Sequence, residues 1–375
     1  MRRHTINIAW ILVFVLLHAC QSEGERASEA AEKKIGFYEN PKAFKSFSKH
    51  FADSIDDCFK SDFDGTVLVY KQGKLFKRAY GKIGLRKSPK MRVDDLFQLA
   101  SVSKTITAVA LMQLVEKGQI QLEDTIQKFL PKFPYKGITI RQLLSHRSGL
   151  SNYMYETEYY WKDSNRYMQN KDLLTFIQTQ KPRPYNYPNA CFSYCNTNFA
   201  LLPLIIEKVS GKAFHDYAFE YIFKPAGMRQ TFFLGHQPNY IHSRVLIGRY
   251  DQYEYNTPYY SDAILGDKSV YSNVEDMLMF HLALSEGRLL KPSTMALMFT
   301  PSFPYYPNGM SYGLGFRLNK MPSGLWQYHN GWWRGFWTAF WNRFDKQICV
   351  VVLTNSKHSS HINKRALAEL VYTGQ

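Results

Sequence analysis

The sequence contains no run of five or more Lys/Arg, no repeat at a fixed period, no C-x-x-C pair and no His/Cys grouping with metal-ligand spacing. Its five cysteines in 375 residues are too few and too irregular for a disulfide scaffold, and a structural metal is not expected. No cofactor motif is present either, so none is assigned. Lys and Arg total 47 against 31 Asp and Glu, a net charge of +16, yet the basic residues are scattered. Nucleic-acid binding is therefore not the expected role. Charged residues reach only 21% against 45% hydrophobic, which excludes disorder as the main state. Aromatics, by contrast, are abundant, with 26 Tyr and 26 Phe, as suits a globular enzyme or binder with a pocket.

The N-terminus sets the expected compartment. Arg2 and Arg3 precede an apolar run over residues 8–17. That length is about half of a membrane span but matches the core of a secretory signal. The run ends in Leu17-His18-Ala19-Cys20, similar to a bacterial lipobox, so residues 1–19 read as a lipoprotein-type signal and Cys20 as the lipidated first residue of the mature chain. The alternative is a plain signal or an uncleaved anchor with Cys20 incidental. Residues 20–40 read as a charged linker, and residues 41–375 as one globular unit in the cell envelope, periplasmic or at the surface, touching the membrane through its anchor.

Within that unit, residues 44–60 have helical spacing, and residues 65–80 read as strand, Gly-containing turn and strand. Residues 101–117 form an apolar helix ended by Gly118. Residues 313–318, 337–341 and 348–353 are strand-like before a last helix near 361–371. Strands at both ends around a helical middle predict an α+β fold.

A secreted enzyme without metal or cofactor most often uses a side-chain nucleophile, and serine needs a nearby base. Gly309-Met-Ser311-Tyr-Gly313 fits G-x-S-x-G, with Asp345 and His358 in the right order. That elbow requires a strand before and a helix after, whereas here Pro301, Pro304 and Pro307 precede it and an alternating run follows. Context rejects Ser311. S-x-x-K occurs at Ser46/Lys49 and Ser101/Lys104, and only Ser101 opens an apolar helix. The i, i+3 spacing puts Lys104 on the same face as Ser101, the helix N-terminus favours developing negative charge, and a lysine kept from water on such a helix is fitted to accept a proton. Ser101 is the expected nucleophile.

The stretch Phe97-Gln-Leu-Ala-Ser101-Val-Ser-Lys104-Thr105 resembles the penicillin-recognising serine hydrolases, specifically the class C β-lactamase-like branch with D-aminopeptidases, D,D-carboxypeptidases and esterases. The likeness runs over roughly residues 60–356 and includes Ile140-Arg-Gln-Leu-Leu-Ser-His146-Arg-Ser-Gly149, Tyr194-Cys-Asn196 as the Y-x-N motif, and His329-Asn-Gly331 at the K-T-G position. It implies a β-lactamase/transpeptidase-like fold, an antiparallel sheet flanked by helices plus a mostly helical lobe, with the cleft between them. It implies Ser101, Lys104 and Tyr194 as catalytic, with Tyr194 exchanging the serine proton. Asn196 would hold either the acyl carbonyl or Lys104, and the N–H groups of Ser101 and Trp332 would form the oxyanion hole beside Gly331. His146 is expected to be a structural hydrogen-bonder.

His329 in place of lysine removes a permanent cation where a substrate carboxylate would sit, which argues against penicillin hydrolysis as the main activity. As an ordinary histidine it would still donate one hydrogen bond and charge below about pH 6.5. The expected activity is hydrolysis of an ester, amide or peptide bond in a small-molecule or peptide substrate, through an acyl-enzyme. The alternatives are a catalytically idle surface protein and a slowly deacylating penicillin-binding type. The aromatics Trp332, Trp333, Phe336, Trp337, Tyr153, Tyr155, Tyr159 and Tyr160 line an aromatic cleft or pack a core. Cys191 and Cys195 are expected as free thiols, and Cys58 and Cys349 as core residues.

Overall fold

The computed structural model describes residues 36–374 except 41, 60–61, 86, 164–165, 251–252 and 256–258. The signal, Cys20 and most of the linker lie outside the described residues.

An eight-stranded sheet forms the backbone of the fold. Its strands are β1 (Lys45–Ser46), β2 (Gly65–Lys71), β3 (Lys74–Tyr80), β4 (Met310–Tyr312), β5 (Arg317–Met321), β6 (Gly324–Trp333), β7 (Phe336–Arg343) and β8 (Ile348–Thr354). The spatial order is β1-β3-β2-β8-β7-β6-β5-β4, antiparallel throughout except for the β1–β3 pair. The two ends of the chain thus meet in the middle of one sheet, where β2 pairs with β8 from Thr66 opposite Leu353 to Lys71 opposite Ile348. The β2–β3 turn rests on Gln72 and Gly73, both at positive φ, as a tight hairpin requires.

Both faces of the sheet are covered, which is why β8 reads as an unbroken apolar run in place of an alternating one. One face sends Val67, Val69, Val350 and Val352 against Phe51 and Ile55 of α1 (Lys49–Asp57) and Leu367 and Val371 of the C-terminal helix, Lys364–Thr373. The other face sends Leu68, Val351 and Leu353 into the larger core with the helical lobe. At the centre of that lobe lies α2 (Ser103–Glu116), in which twelve of fourteen residues are buried. A helix apolar on all sides must be enclosed on all sides, and α3 (Asn196–Ser210) packs along it.

Three expectations change. The first helix begins at Lys49, capped by the Ser48 hydroxyl, and the preceding Lys45–Ser46 pairs as an edge strand. The strand expected at residues 313–318 is divided: β4 ends at Tyr312 and β5 begins at Arg317, because Gly315, at φ +78°, turns the chain against Ala108 of α2, where a Cβ would approach to 2.2 Å. Cys349 is buried as expected, but Cys58 is exposed at the end of α1. Cys191 and Cys195 are free thiols, Cys195 buried.

Candidate active site

Ser101 lies in a single 3-10 turn, Ala100–Val102, that runs into α2. Ala100 holds φ +49°, a left-handed conformation that costs a residue bearing a Cβ about 1–2 kcal/mol. The surroundings impose it. Thr338 of β7 donates to the Leu99 carbonyl at 2.7 Å, and Gly331 of β6 lies so close that a Cβ there would come within 2.3 Å of the same oxygen. The Gly331 position is therefore a contact requirement: only a residue without a side chain lets β6 lie against the serine turn.

One helical turn on, the Lys104 side chain is fully buried, and its Nζ reaches three acceptors: Ser101 Oγ at 3.0 Å, Asn196 Oδ1 at 2.8 Å and the Asp267 carbonyl at 2.8 Å. Three acceptors match the three donors of an ammonium. Of the two roles open to Asn196, holding Lys104 is the one seen here. The amide nitrogen of Asn196 contacts Met154 Sδ at 2.8 Å.

Tyr194 stands in the loop before α3 and lines the same cleft as Ser101. Lys104 Nζ lies 5.1 Å from its ring centroid. The fully buried His146 ring lies beneath Tyr194 at 4.3 Å, and His146 Nδ1 accepts the Cys195 N–H at 3.1 Å. Burial, with Lys104 adding to it, holds His146 well below the usual imidazole range, so it is a neutral support for the tyrosine loop and not a base.

His329 departs from expectation. It is 0% exposed; its Nδ1 bonds to the Asn330 carbonyl at 2.7 Å and its Nε2 to the Tyr312 hydroxyl at 3.1 Å. A carbonyl only accepts, so Nδ1 carries the proton and Nε2 accepts. Burial first, then the charges of Arg317 and Lys104, push His329 well below its ordinary range. The expectation that it donates to a substrate and charges below about pH 6.5 is corrected: both nitrogens are committed within the protein.

Cationic side chains from other parts of the chain nevertheless line the cleft. Arg317 of β5 lines the cleft with its guanidinium 4.9 Å from the Tyr194 ring centroid. Lys268, 2% exposed, also lines the cleft, bonded to the Tyr153 hydroxyl and 3.6 Å from Asp267 Oδ2. Burial lowers its pKa, with Asp267 opposing the shift. Neither residue belongs to a recognisable motif.

The cleft encloses about 340 Å³. Trp332 stands at its rim, 63% exposed, against Trp337, and Trp333 and Tyr155 line it as well. Phe336 and Tyr153 are buried in the core, and Tyr159 and Tyr160 are exposed outside the cleft. Ser311 is ordinary strand, its hydroxyl donating to the Phe303 carbonyl at 2.8 Å, and Ser46 is on β1.

A sequence model of the Beta-lactamase family matches residues 55–373. The chain is 32% identical over 334 residues to penicillin-binding protein 4* of Bacillus subtilis, covering 84% of this chain and 74% of that protein. It is 26% identical over 313 residues to a teichoic acid D-alanine hydrolase of Staphylococcus aureus, covering 80% and 73%. Among solved structures it is similar to a penicillin-binding protein from Bacillus halodurans, with TM-score 0.73 and 26% identity over 86% of this chain and all of that one. The chain belongs to the Beta-lactamase family.

Proposed function

We propose that this protein is an envelope serine hydrolase that cleaves an ester or amide bond through an acyl-enzyme on Ser101. The observation that carries the reading is the fully buried Lys104 held at 3.0 Å from Ser101 Oγ, with Asn196 and the Asp267 carbonyl as its other partners. A lysine oriented by two fixed acceptors cannot drift from the serine. Such pre-positioning is what proton transfer from a nucleophile needs.

Ser101 Oγ attacks the substrate carbonyl carbon while its proton passes to the Lys104/Tyr194 pair. The developing oxyanion is held by main-chain N–H groups where β6 meets the serine turn. Collapse expels the alcohol or amine, which takes up the proton, and water then releases the acyl group by the same steps in reverse order. Arg317 offers a permanent positive charge to an anionic portion of the substrate. Cys20 as a lipid anchor completes the reading of the chain as an envelope protein; among the described residues no helix is long and apolar enough to cross a membrane.

Turnover of acyl esters by four forms of the protein tests this reading. Ser101→Ala is expected to abolish it, by about 10³-fold or more, while Ser311→Ala and Ser46→Ala stay within about twofold of wild type. Activity retained in Ser101→Ala would sink the reading.

A further inference from the structure

Two stretches far apart in the chain, residues 81–93 and 236–250, hold seven Lys or Arg and no Asp or Glu. The fold brings them together. In the first, Lys82 bridges to Lys90 across an antiparallel loop, with the Ile83 N–H donating to the Pro89 carbonyl at 3.1 Å and the Met91 N–H to the Gly81 carbonyl at 3.0 Å. In the second, Val245 lies beside Leu96, and the arginines around it reach the first stretch. Arg244 Nη2 donates to the Lys90 carbonyl at 2.9 Å, and Arg249 Nη1 to the Gly84 carbonyl at 3.0 Å. One surface results.

That surface is apolar as well as basic. Four Leu, Ile or Val side chains are exposed among the described residues, and three of them, Leu85, Val245 and Ile247, lie here. Val245 and Ile247 flank the buried Leu246, so this extended segment sends apolar groups outward as well as inward, where an edge facing only water would carry polar ones. Arg92, Arg244 and Arg249 are paired with Asp94, Asp95 and Asp64, whereas Lys87 and Lys90 are exposed and have no carboxylate partner among the described residues. Aliphatic groups beside such lysines match a hydrocarbon layer beneath anionic headgroups. A soluble polyanion would leave the aliphatic groups in water, and an apolar protein face would leave the lysines uncompensated. The patch also adjoins the cleft. The Arg334–Gly335 turn joining β6 to β7 packs on it so closely that a Cβ at Gly248 would lie 1.9 Å from the Arg334 carbonyl, and Trp332 and Trp333, just before that turn, line the cleft.

We propose that the face formed by Leu85, Val245, Ile247, Lys87 and Lys90 docks this protein on an anionic phospholipid surface and sets the mouth of the cleft beside it. This rests on the reading of the chain as an envelope protein and names the part of the globular unit that meets the membrane.

The test is lysine acetylation, read by peptide mapping, of the full chain in solution and on vesicles of equimolar phosphatidylglycerol and phosphatidylcholine. Exposed Lys74 and Lys346 serve as references, because the length of β7 sets their end of the sheet about 25 Å from the Arg334–Gly335 turn. Lys87 and Lys90 are expected to react about fivefold more slowly on the vesicles, the scale of one lysine's attraction to an anionic leaflet, while the references stay within about twofold. Leu85→Ser/Ile247→Ser is expected to erase that protection although the chain remains on the vesicles through its N-terminal anchor. Unprotected Lys87 and Lys90 in vesicle-bound wild type would overturn the inference and leave the envelope reading standing. Protection that survives in the double variant, or that extends equally to Lys74 and Lys346, would overturn it too. Protection that appears without vesicles as protein concentration rises would give the face to a second copy of the chain instead. Failure of wild type to bind the vesicles at all would overturn the envelope reading and this inference with it.

Discussion

Lys104 is fully buried with three acceptors, so its replacement leaves Asn196 Oδ1 and the Asp267 carbonyl without a donor as well as removing a proton carrier. Lys104→Ala is expected to lower the acylation rate by about 10²–10⁴-fold, and Tyr194→Phe to do so by a similar factor, read by stopped-flow with an activated ester. A loss under fivefold in either variant would remove that residue from the proton path. His329 leads to a different expectation. Because burial keeps it neutral well below the ordinary histidine range, it contributes no ionisation to kcat/KM near pH 6.5. His329→Gln should leave the shape of that profile unchanged; a limb near pH 6.5 lost in the variant contradicts it. Ser101, Lys104 and Tyr194 were legible in the sequence because two short motifs placed them, one at a helix start and one just before another. Arg317, Asp267 and Lys268 were not. Their chemistry depends on neighbours more than a hundred residues away, such as Tyr153 and Tyr194, and no local pattern marks that proximity.

Element by element, the site depends on how closely β6 approaches the serine turn. A Cβ at position 331 would meet Thr338 Oγ1 at 2.2 Å and the Leu99 carbonyl at 2.3 Å, and both groups belong to main chain or strand interior that cannot move independently. Gly331→Ala is expected to push β6 off the turn, cutting fluorophosphonate labelling by about 10²-fold or more and lowering stability by about 1–3 kcal/mol. Labelling at the wild-type rate in a folded Gly331→Ala protein would show that the contact is not needed. The hairpin at residues 65–80 and the apolar helix after Ser101 were legible because turn glycines and periodicity act over one or two turns of chain. The split at Gly315 was not, because the alternating run looks continuous until Ala108 of a distant helix is packed against it. The pairing of β2 with β8, 277 or more residues apart along the chain, likewise leaves no local mark, although its two-faced burial explains why β8 is apolar throughout.

Across the molecule as a whole, three histidines among the described residues are buried in neutral form: His146, His281 and His329. Burial pushes His281 down to about 4 and the other two well below their ordinary range. Each binds its proton near pH 6.5 once unfolded, so its contribution to stability is complete above that pH and is lost as pH falls towards the folded value. Asp276 acts oppositely, since burial raises it to about 7 and its contribution grows as pH drops; it is one group against three. The net expectation is a Tm at pH 5 lower than at pH 7, by roughly 5 °C for a chain of this size, checked by scanning calorimetry at the two pH values. A Tm that rises on acidification contradicts this account. The membership of the chain in the Beta-lactamase family and the meeting of sheet and helical lobe at one cleft leave a single central claim, that Ser101 is the acylated atom. Intact-mass spectrometry after incubation with a fluorophosphonate, followed by peptide mapping, addresses it directly. The account predicts one adduct per chain, on the peptide carrying Ser101. An adduct on any other serine, or none, would contradict it.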